Sequence, residues 1–266
     1  MRTLPTLSNA PACPNLTENS QYLARVASRV SDGRVLDLVQ AFLQQGVLEE
    51  AKYWTPEQGT PQGGVISPLL SNIYLDPLDH LMATQGTEMV RYADDFVLLC
   101  RTESQAQAVL TAVQQWTAQA GLQLHPEKTR IVDATQQGGF DFLGYHFERG
   151  MKWPRSKSLQ KFKTTVRSHT RRRNGNSLPT ILAQLNRSLR GWFVYFQHSY
   201  HTTFPPLDSW IRMRLRRILR WREGRRRGRC GLDHYRWTNA FFAEQGLFSL
   251  CTAAASVRQS LCKVTH

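Results

Sequence analysis

Acid is nearly missing from one long stretch of this chain. Residues 151–230 hold 2 Asp+Glu against 21 Lys+Arg, whereas residues 1–150 hold 16 against 10. No apolar run approaches the ~20 residues needed to cross a bilayer. The N-terminal MRTLPTLSNAPACP has no apolar core of signal-peptide length. A cytoplasmic protein without a membrane span is therefore expected. Cysteine is scarce as well: five, an odd number, scattered and without a CxxC pair. That argues against a disulfide framework and against structural zinc, and Cys230 with His234 is not a zinc-binding arrangement either.

What is present points to a globular protein that meets a polyanion. The 266 residues are 41% hydrophobic and 20% charged, enough to bury a core. A mildly acidic half joined to a strongly basic one suggests nucleic acid first and an anionic membrane second. Residues 1–20, with three prolines and many Ser, Thr and Asn, read as a disordered tail. Val35, Leu36, Val39, Phe42 and Leu43 recur at helical spacing, and Gly46 would cap that helix. WTPEQGTPQGG then interrupts regular structure. Ser67 and Pro68 read as N-cap and first helical residue of the next helix, which Pro77 should kink or end.

EMVRYADDFVLLC reads as strand, two-residue turn, strand, and Ser104 as the cap of a following helix that ends at Gly121. GLQLHPEKTRIVD gives a turn and short strand, and GGFDFLGYHFERG a second hairpin rich in aromatics. From Lys152 the pattern is helical and basic. The expected organisation is α+β in residues 21–150 and all-α in residues 151–266.

Two adjacent carboxylates, Asp94 and Asp95, sit in the first hairpin. Their mutual repulsion in a partly desolvated site would be relieved by a cation. Hard oxygen donors favour Mg²⁺, which keeps waters and takes one or two carboxylates plus substrate phosphates. Asp is also a common turn residue for purely local reasons, so the pair alone leaves a solvated turn open.

The order of motifs is more specific. GTPQGG, SPLLSNIYLDPLDH, RYADDFVLLC, GLQLHPEKTRIVD and FDFLGYHF follow one another. The series resembles the reverse transcriptases encoded by group II introns. The resemblance implies a partial polymerase palm, an antiparallel sheet with helices, followed by a basic all-α thumb or maturase domain. It implies that Pro61, Gln62, Gly63 and Gly64 shape the pocket for an incoming deoxynucleotide, where a backbone without Cβ can approach a ligand closely. Tyr92 and Ala93 would belong to the same nucleotide site. Asp94 would be the principal metal ligand and Asp95 the secondary one, holding Mg²⁺. Lys128 would sit near the leaving phosphates, and Phe142, Leu143 and Gly144 would grip the primer end. SLRGWFVYFQHSY and DHYRWTNAFFAEQGLFSL resemble the thumb helix and the C-terminal ending of bacterial members.

The implied partners are group II intron RNA, primer or target DNA and deoxynucleotides. The basic half supports this independently: Arg171, Arg172, Arg173, Arg225, Arg226 and Arg227 would neutralise phosphates. Trp192, Trp210, Trp221 and Trp237 could stack on unpaired bases, although core packing is the expectation for Trp192 and Trp210.

One family feature has no counterpart. Polymerases of this type need a third aspartate on an earlier strand, and only 58 residues precede GTPQGG. Asp37, in DLVQAF, lies in a helical period and is set aside as a ligand. The expectation is that the chain does not polymerise alone, and that a separate N-terminal fragment could supply the missing strand.

Overall fold

The computed structural model describes residues 3–7, 23–43, 47–49, 52–54, 66–172, 175–224 and 232–264. The chain divides into two compact units, Met1–Phe142 and Leu143–His266.

In the first unit, β1 (Thr3–Leu7), α1 (Gly33–Leu43), β2 (Val47–Glu49) and β3 (Lys52–Trp54) precede α2 (Ser67–Thr84). The hairpin β4 (Glu88–Tyr92) and β5 (Asp95–Leu99) follows, then α3 (Glu103–Gln119), β6 (Arg130–Asp133) and β7 (Phe140–Phe142). The main sheet has the order β4-β5-β1-β6. Most of residues 1–20 lies outside the described residues, but within that expected disordered tail residues 3–7 are instead a strand. They lie between β5 and β6, antiparallel to both, with Thr6 opposite Val97 on one side and Arg130 on the other. The extended backbone of β5 and β6 needs ladder partners, and β1 supplies them. Its Pro5 has no N–H to donate, so this is a weak central strand.

Pro77 does not end α2, which continues to Thr84. Leu78 and Met82, beyond the proline, are fully buried against Phe96, Leu98, Ala106, Val109 and Val113. Burial of two such side chains offsets the roughly 3 kcal/mol a mid-helix proline costs. The helix also starts at Ser67 itself, behind Ile66, which makes no side-chain cap. Helix α3 is capped by Thr102, not Ser104: the Thr102 hydroxyl accepts from Gln105 N at 3.2 Å. Gly121, at φ 70°, follows its C-cap as expected. Val26, Val39, Leu43, Leu70, Tyr74 and Leu75 form a second core under α1 and α2.

The second unit opens on β8 (Tyr145–Glu148) and β9 (Met151–Pro154), a hairpin with Glu148 opposite Met151. Residues 151–154 are thus a strand, and helix begins at Ser156 rather than Lys152. Arg149 and Gly150 have φ of 50° and 75°, the type I′ pattern that folds a chain straight back. Then come α4 (Ser156–His169), α5 (Leu178–Phe196), a 3₁₀ turn (His201–Thr203), α6 (Phe204–Arg222), α7 (Asp233–Arg236), α8 (Asn239–Glu244) and α9 (Leu250–Val264). Ile181, Leu185, Leu189 and Phe193 of α5 interlock with Leu207, Ile211, Leu215 and Ile218 of α6 and with Phe162 and Val166 of α4. These positions recur every three to four residues, so each helix turns one apolar stripe inward. Most of the arginines are left on the outside.

Candidate polymerase turn and nucleic-acid interface

The β4–β5 turn is as tight as a hairpin allows. Tyr92 pairs with Asp95, which leaves Ala93 and Asp94 as the loop. Ala93 has φ 54°, at the first loop position, where hairpins favour glycine. A left-handed non-glycine residue costs about 1–2 kcal/mol, and such strain collects at functional sites. Asp94 and Asp95 are both half-buried, while Tyr92 is exposed.

Arg91, which sequence reasoning passed over, holds this turn from behind. Its Nε donates to Asp79 Oδ1 at 2.8 Å, and a second guanidinium nitrogen also reaches the Asp79 carboxylate. Its Nη1 donates to Asn72 Oδ1 at 2.9 Å and to the Ala93 carbonyl at 3.0 Å. One planar fork thereby ties α2 to the loop that carries Asp94. Neither Asn72 nor Asp79 lies at a spacing from Arg91 that sequence could read; only packing of α2 against β4 brings them together.

Lys128 is exposed in the turn before β6, its backbone N–H donating to His125 O at 3.2 Å. Arg130, Thr6, Val97 and Val90 form one row across the sheet. β5 and β6 run parallel, and Asp95 and Lys128 each lie two residues upstream of that row. Lys128 thus precedes β6 at the end of the sheet that carries the two aspartates, on the second strand over from β5. Pro61, Gln62, Gly63 and Gly64 lie outside the described residues.

The expected primer-grip residues bracket the start of the second unit. Phe142 ends β7; Leu143 and Gly144 form a turn with φ of 46° and 78°. The second unit clamps that turn. Tyr195 of α5 donates its hydroxyl to Leu143 O at 2.6 Å, and Gly144 O accepts from Arg155 N at 2.9 Å and Ser158 Oγ at 3.1 Å. Tyr145 returns a hydrogen bond to Tyr195 O. Burial, with the neighbouring Tyr195 hydroxyl adding to it, pushes the Tyr145 phenol up to about 12. A Cβ at Gly144 would meet Ser158 Oγ at 3.4 Å, an ordinary contact, so the cost of adding one is backbone strain. Gly144→Ala is expected to destabilise the second unit by about 1 kcal/mol, read from the urea midpoint. An unchanged midpoint would mean the turn relaxes freely.

Arg171 and Arg172 are exposed just past α4; Arg173, Arg225, Arg226 and Arg227 lie outside the described residues. A further basic cluster, missed in the sequence, gathers around Trp210. Arg167 and Arg214 both face its ring, at 5.8 and 5.4 Å from the centroid. Arg214 is anchored by Nε to Thr170 Oγ1 at 2.6 Å and by a second nitrogen to Thr170 O at 3.1 Å. Burial, then the charges of Arg167, Arg217 and Arg172, hold its guanidinium below the usual arginine range. Three neighbouring positive charges crowd one half-buried arginine, an arrangement that an anion would relieve. Trp192 stacks on Phe162 with centroids 4.3 Å apart, and Trp237 is buried, so Trp237 cannot offer its face to a base.

Two family models match this chain in tandem: "Reverse transcriptase (RNA-dependent DNA polymerase)" over residues 20–147, and "Group II intron, maturase-specific domain" over residues 159–235. The group II intron-encoded protein LtrA of Lactococcus lactis subsp. cremoris is 47% identical over 67 residues, 25% of this chain and 11% of that protein. The chain belongs to the group II intron reverse transcriptase/maturase family. Protein YkfC of Escherichia coli (strain K12) is 28% identical over 159 residues, covering 47% of this chain and 41% of YkfC. A 91 kDa protein in the cob intron of Schizosaccharomyces pombe is 35% identical over 77 residues, 29% of this chain and 10% of that one. These matches therefore span less than half the length of each relative.

A reverse transcriptase domain implies a divalent metal ion. Asp94 and Asp95 suit one in kind: hard oxygen donors, adjacent, at the end of a strand. Among the described residues, however, no group of three or more His, Cys, Asp or Glu side chains could hold a metal ion. Among the described residues the turn thus offers two carboxylates, and waters or phosphates would complete the coordination. No helix among the described residues is long and apolar enough to cross a membrane.

Proposed function

We propose that this chain works as part of a group II intron reverse transcriptase/maturase. The first unit is the palm and the second the thumb. Asp94, with Asp95, takes Mg²⁺ together with deoxynucleotide phosphates, and Lys128 approaches those phosphates from the same end of the sheet. Phe142, Leu143 and Gly144 hold the primer end. The arginines around Trp210, with Arg171 and Arg172, hold intron RNA by its phosphates. The observation that carries this reading is the tandem of an Asp-Asp hairpin unit and an arginine-rich helical unit, in family order. Bound Mg²⁺ would polarise phosphoryl oxygens; the chain's own part is to place carboxylates and cations around the nucleotide.

DNA synthesis on an RNA template needs a third carboxylate beyond the two that the described residues bring together, whether from elsewhere in the chain or from another polypeptide. RNA holding does not need it. The test is fluorescence anisotropy at fixed salt with a group II intron RNA and an unrelated structured RNA of equal length and charge. A preference of about tenfold for the intron RNA is expected, unchanged in Asp94→Ala. Equal affinities would remove the maturase reading and leave only a general polyanion binder.

A further inference from the structure

We infer that Arg91 is the positioning residue of the metal-binding turn, acting through the carbonyl of Ala93; this rests on the proposed role of Asp94. The Arg91 side chain is 12% exposed, and its guanidinium is engaged at all three nitrogens. Asp79 takes Nε and Nη2 along one edge, Asn72 takes Nη1, and the Ala93 carbonyl shares Nη1 with Asn72. Asp79 and Asn72 belong to α2, whose inner face is fixed by Leu75, Leu78 and Met82 in the core. The guanidinium is thus a rigid strut from a packed helix to the one carbonyl between Tyr92 and Asp94.

Ala93 is where a strut is needed. Its φ of 54° is a conformation that an L-residue leaves unless something holds it. If Ala93 relaxed to negative φ, the two-residue loop would lose its hairpin geometry, and the Asp94 carboxylate would swing with it. Arg91 opposes that relaxation with a charged donor on the Ala93 oxygen, the stronger class of hydrogen bond. Its positive charge is matched by Asp79 at contact distance, so the strut does not deter a cation from the turn.

Mn²⁺ serves as the probe, because the loss of its free electron paramagnetic resonance signal reports binding without any turnover. The full chain is expected to bind Mn²⁺, and Asp94→Ala to lose that binding. Arg91→Met should weaken Mn²⁺ about tenfold, and adding Ala93→Gly to it should recover at least about threefold, because glycine takes positive φ without strain. A strut that merely braced α2 against β4 would not be rescued by a glycine at 93. Where Arg91→Met fails to melt cooperatively, Asn72→Ala loosens the same fork without touching it and should weaken Mn²⁺ about threefold.

Identical Mn²⁺ binding by the wild-type chain and Asp94→Ala would remove the metal reading of the turn, and the strut with it. Loss in Asp94→Ala with Arg91→Met binding as wild type, or more tightly, would overturn the strut alone. So would an Arg91→Met defect that Ala93→Gly leaves unchanged.

Discussion

Affinity of the full chain for RNA is expected to fall about 10²–10³-fold as monovalent salt rises from about 50 to about 200 mM. The cause is release of condensed counterions. Each phosphate neutralised contributes roughly −0.7 to −0.9 to the slope of log K against log salt. The second unit can supply about six such contacts. Arg167, Arg171, Arg172 and Arg217 are exposed around one end of α4 and the middle of α6, with Lys157 and Lys161 exposed farther along α4. Few acids compete with the phosphates: residues 151–230 hold only two, Asp208 and Glu223. Asp208 is buried, and Glu223 is paired with Arg236 at 2.9 Å. The cations therefore face solvent with little internal neutralisation. Six contacts give a slope near −4 to −5. Arg167→Gln/Arg217→Gln should reduce it by roughly 1.5 and weaken binding to intron and unrelated RNA alike, because phosphate contacts position without reading sequence. A slope shallower than about −2 would place the interface elsewhere.

How much of this was legible in the sequence depended on the range of the interaction. The Asp94–Asp95 turn was readable because a two-residue hairpin announces itself locally, between two apolar strands. So was the helical, basic character of α5 and α6, whose period is set by the helix itself. The elements that were misread are those settled by distant partners. Residues 3–7 carry no strand pattern, yet lie between β5 and β6 because those strands leave hydrogen-bonding groups for them. Pro77 was expected to kink or end α2, but the helix continues to Thr84 because Leu78 and Met82 bury more than the proline costs. The helical pattern expected from Lys152 gives way to strand because the Arg149–Gly150 turn folds MKWP back onto YHFE. The site shows the same division. Asp94, Asp95 and Lys128 could be named from motifs, whereas the Arg91 fork reaches Asp79 and Asn72, 12 and 19 positions away, and the cluster at Trp210 draws in Arg167 from 43 positions away; no spacing rule reaches that far.

Asp208→Ala is expected to cost the second unit about 3 kcal/mol, the largest loss of stability from any polar side chain in it. Asp208 lies on α6 with 3% of its surface exposed, but its work is done on α9. Oδ1 accepts from Leu250 N at 3.1 Å, and Oδ2 accepts from Cys251 N at 3.1 Å and from Ser249 Oγ at 2.8 Å. The first N–H groups of a helix have no partner within it, and a carboxylate there also meets the positive end of the helix dipole. Asp208 is thus an N-cap supplied by another helix, joining α9 to α6 where Leu250 and Ala254 are buried. Alanine would leave Leu250 N buried without an acceptor, take the same acceptor from the half-buried Cys251 N and Ser249 hydroxyl, and leave Arg212, 4.0 Å away, without its counter-charge. Asparagine keeps one acceptor oxygen and should cost about half as much. Urea denaturation measures both, and a loss below about 0.5 kcal/mol for alanine would show that water replaces the carboxylate. A second readout is independent of unfolding. Burial, and after it the Asp208 charge, push the Cys251 thiol up to about 11. With the charge gone, its thiolate fraction near pH 8 rises, and native-state alkylation at Cys251, followed by peptide mapping, should quicken. Faster alkylation in the alanine variant at low urea, with the helices still formed, would place the effect at the cap itself.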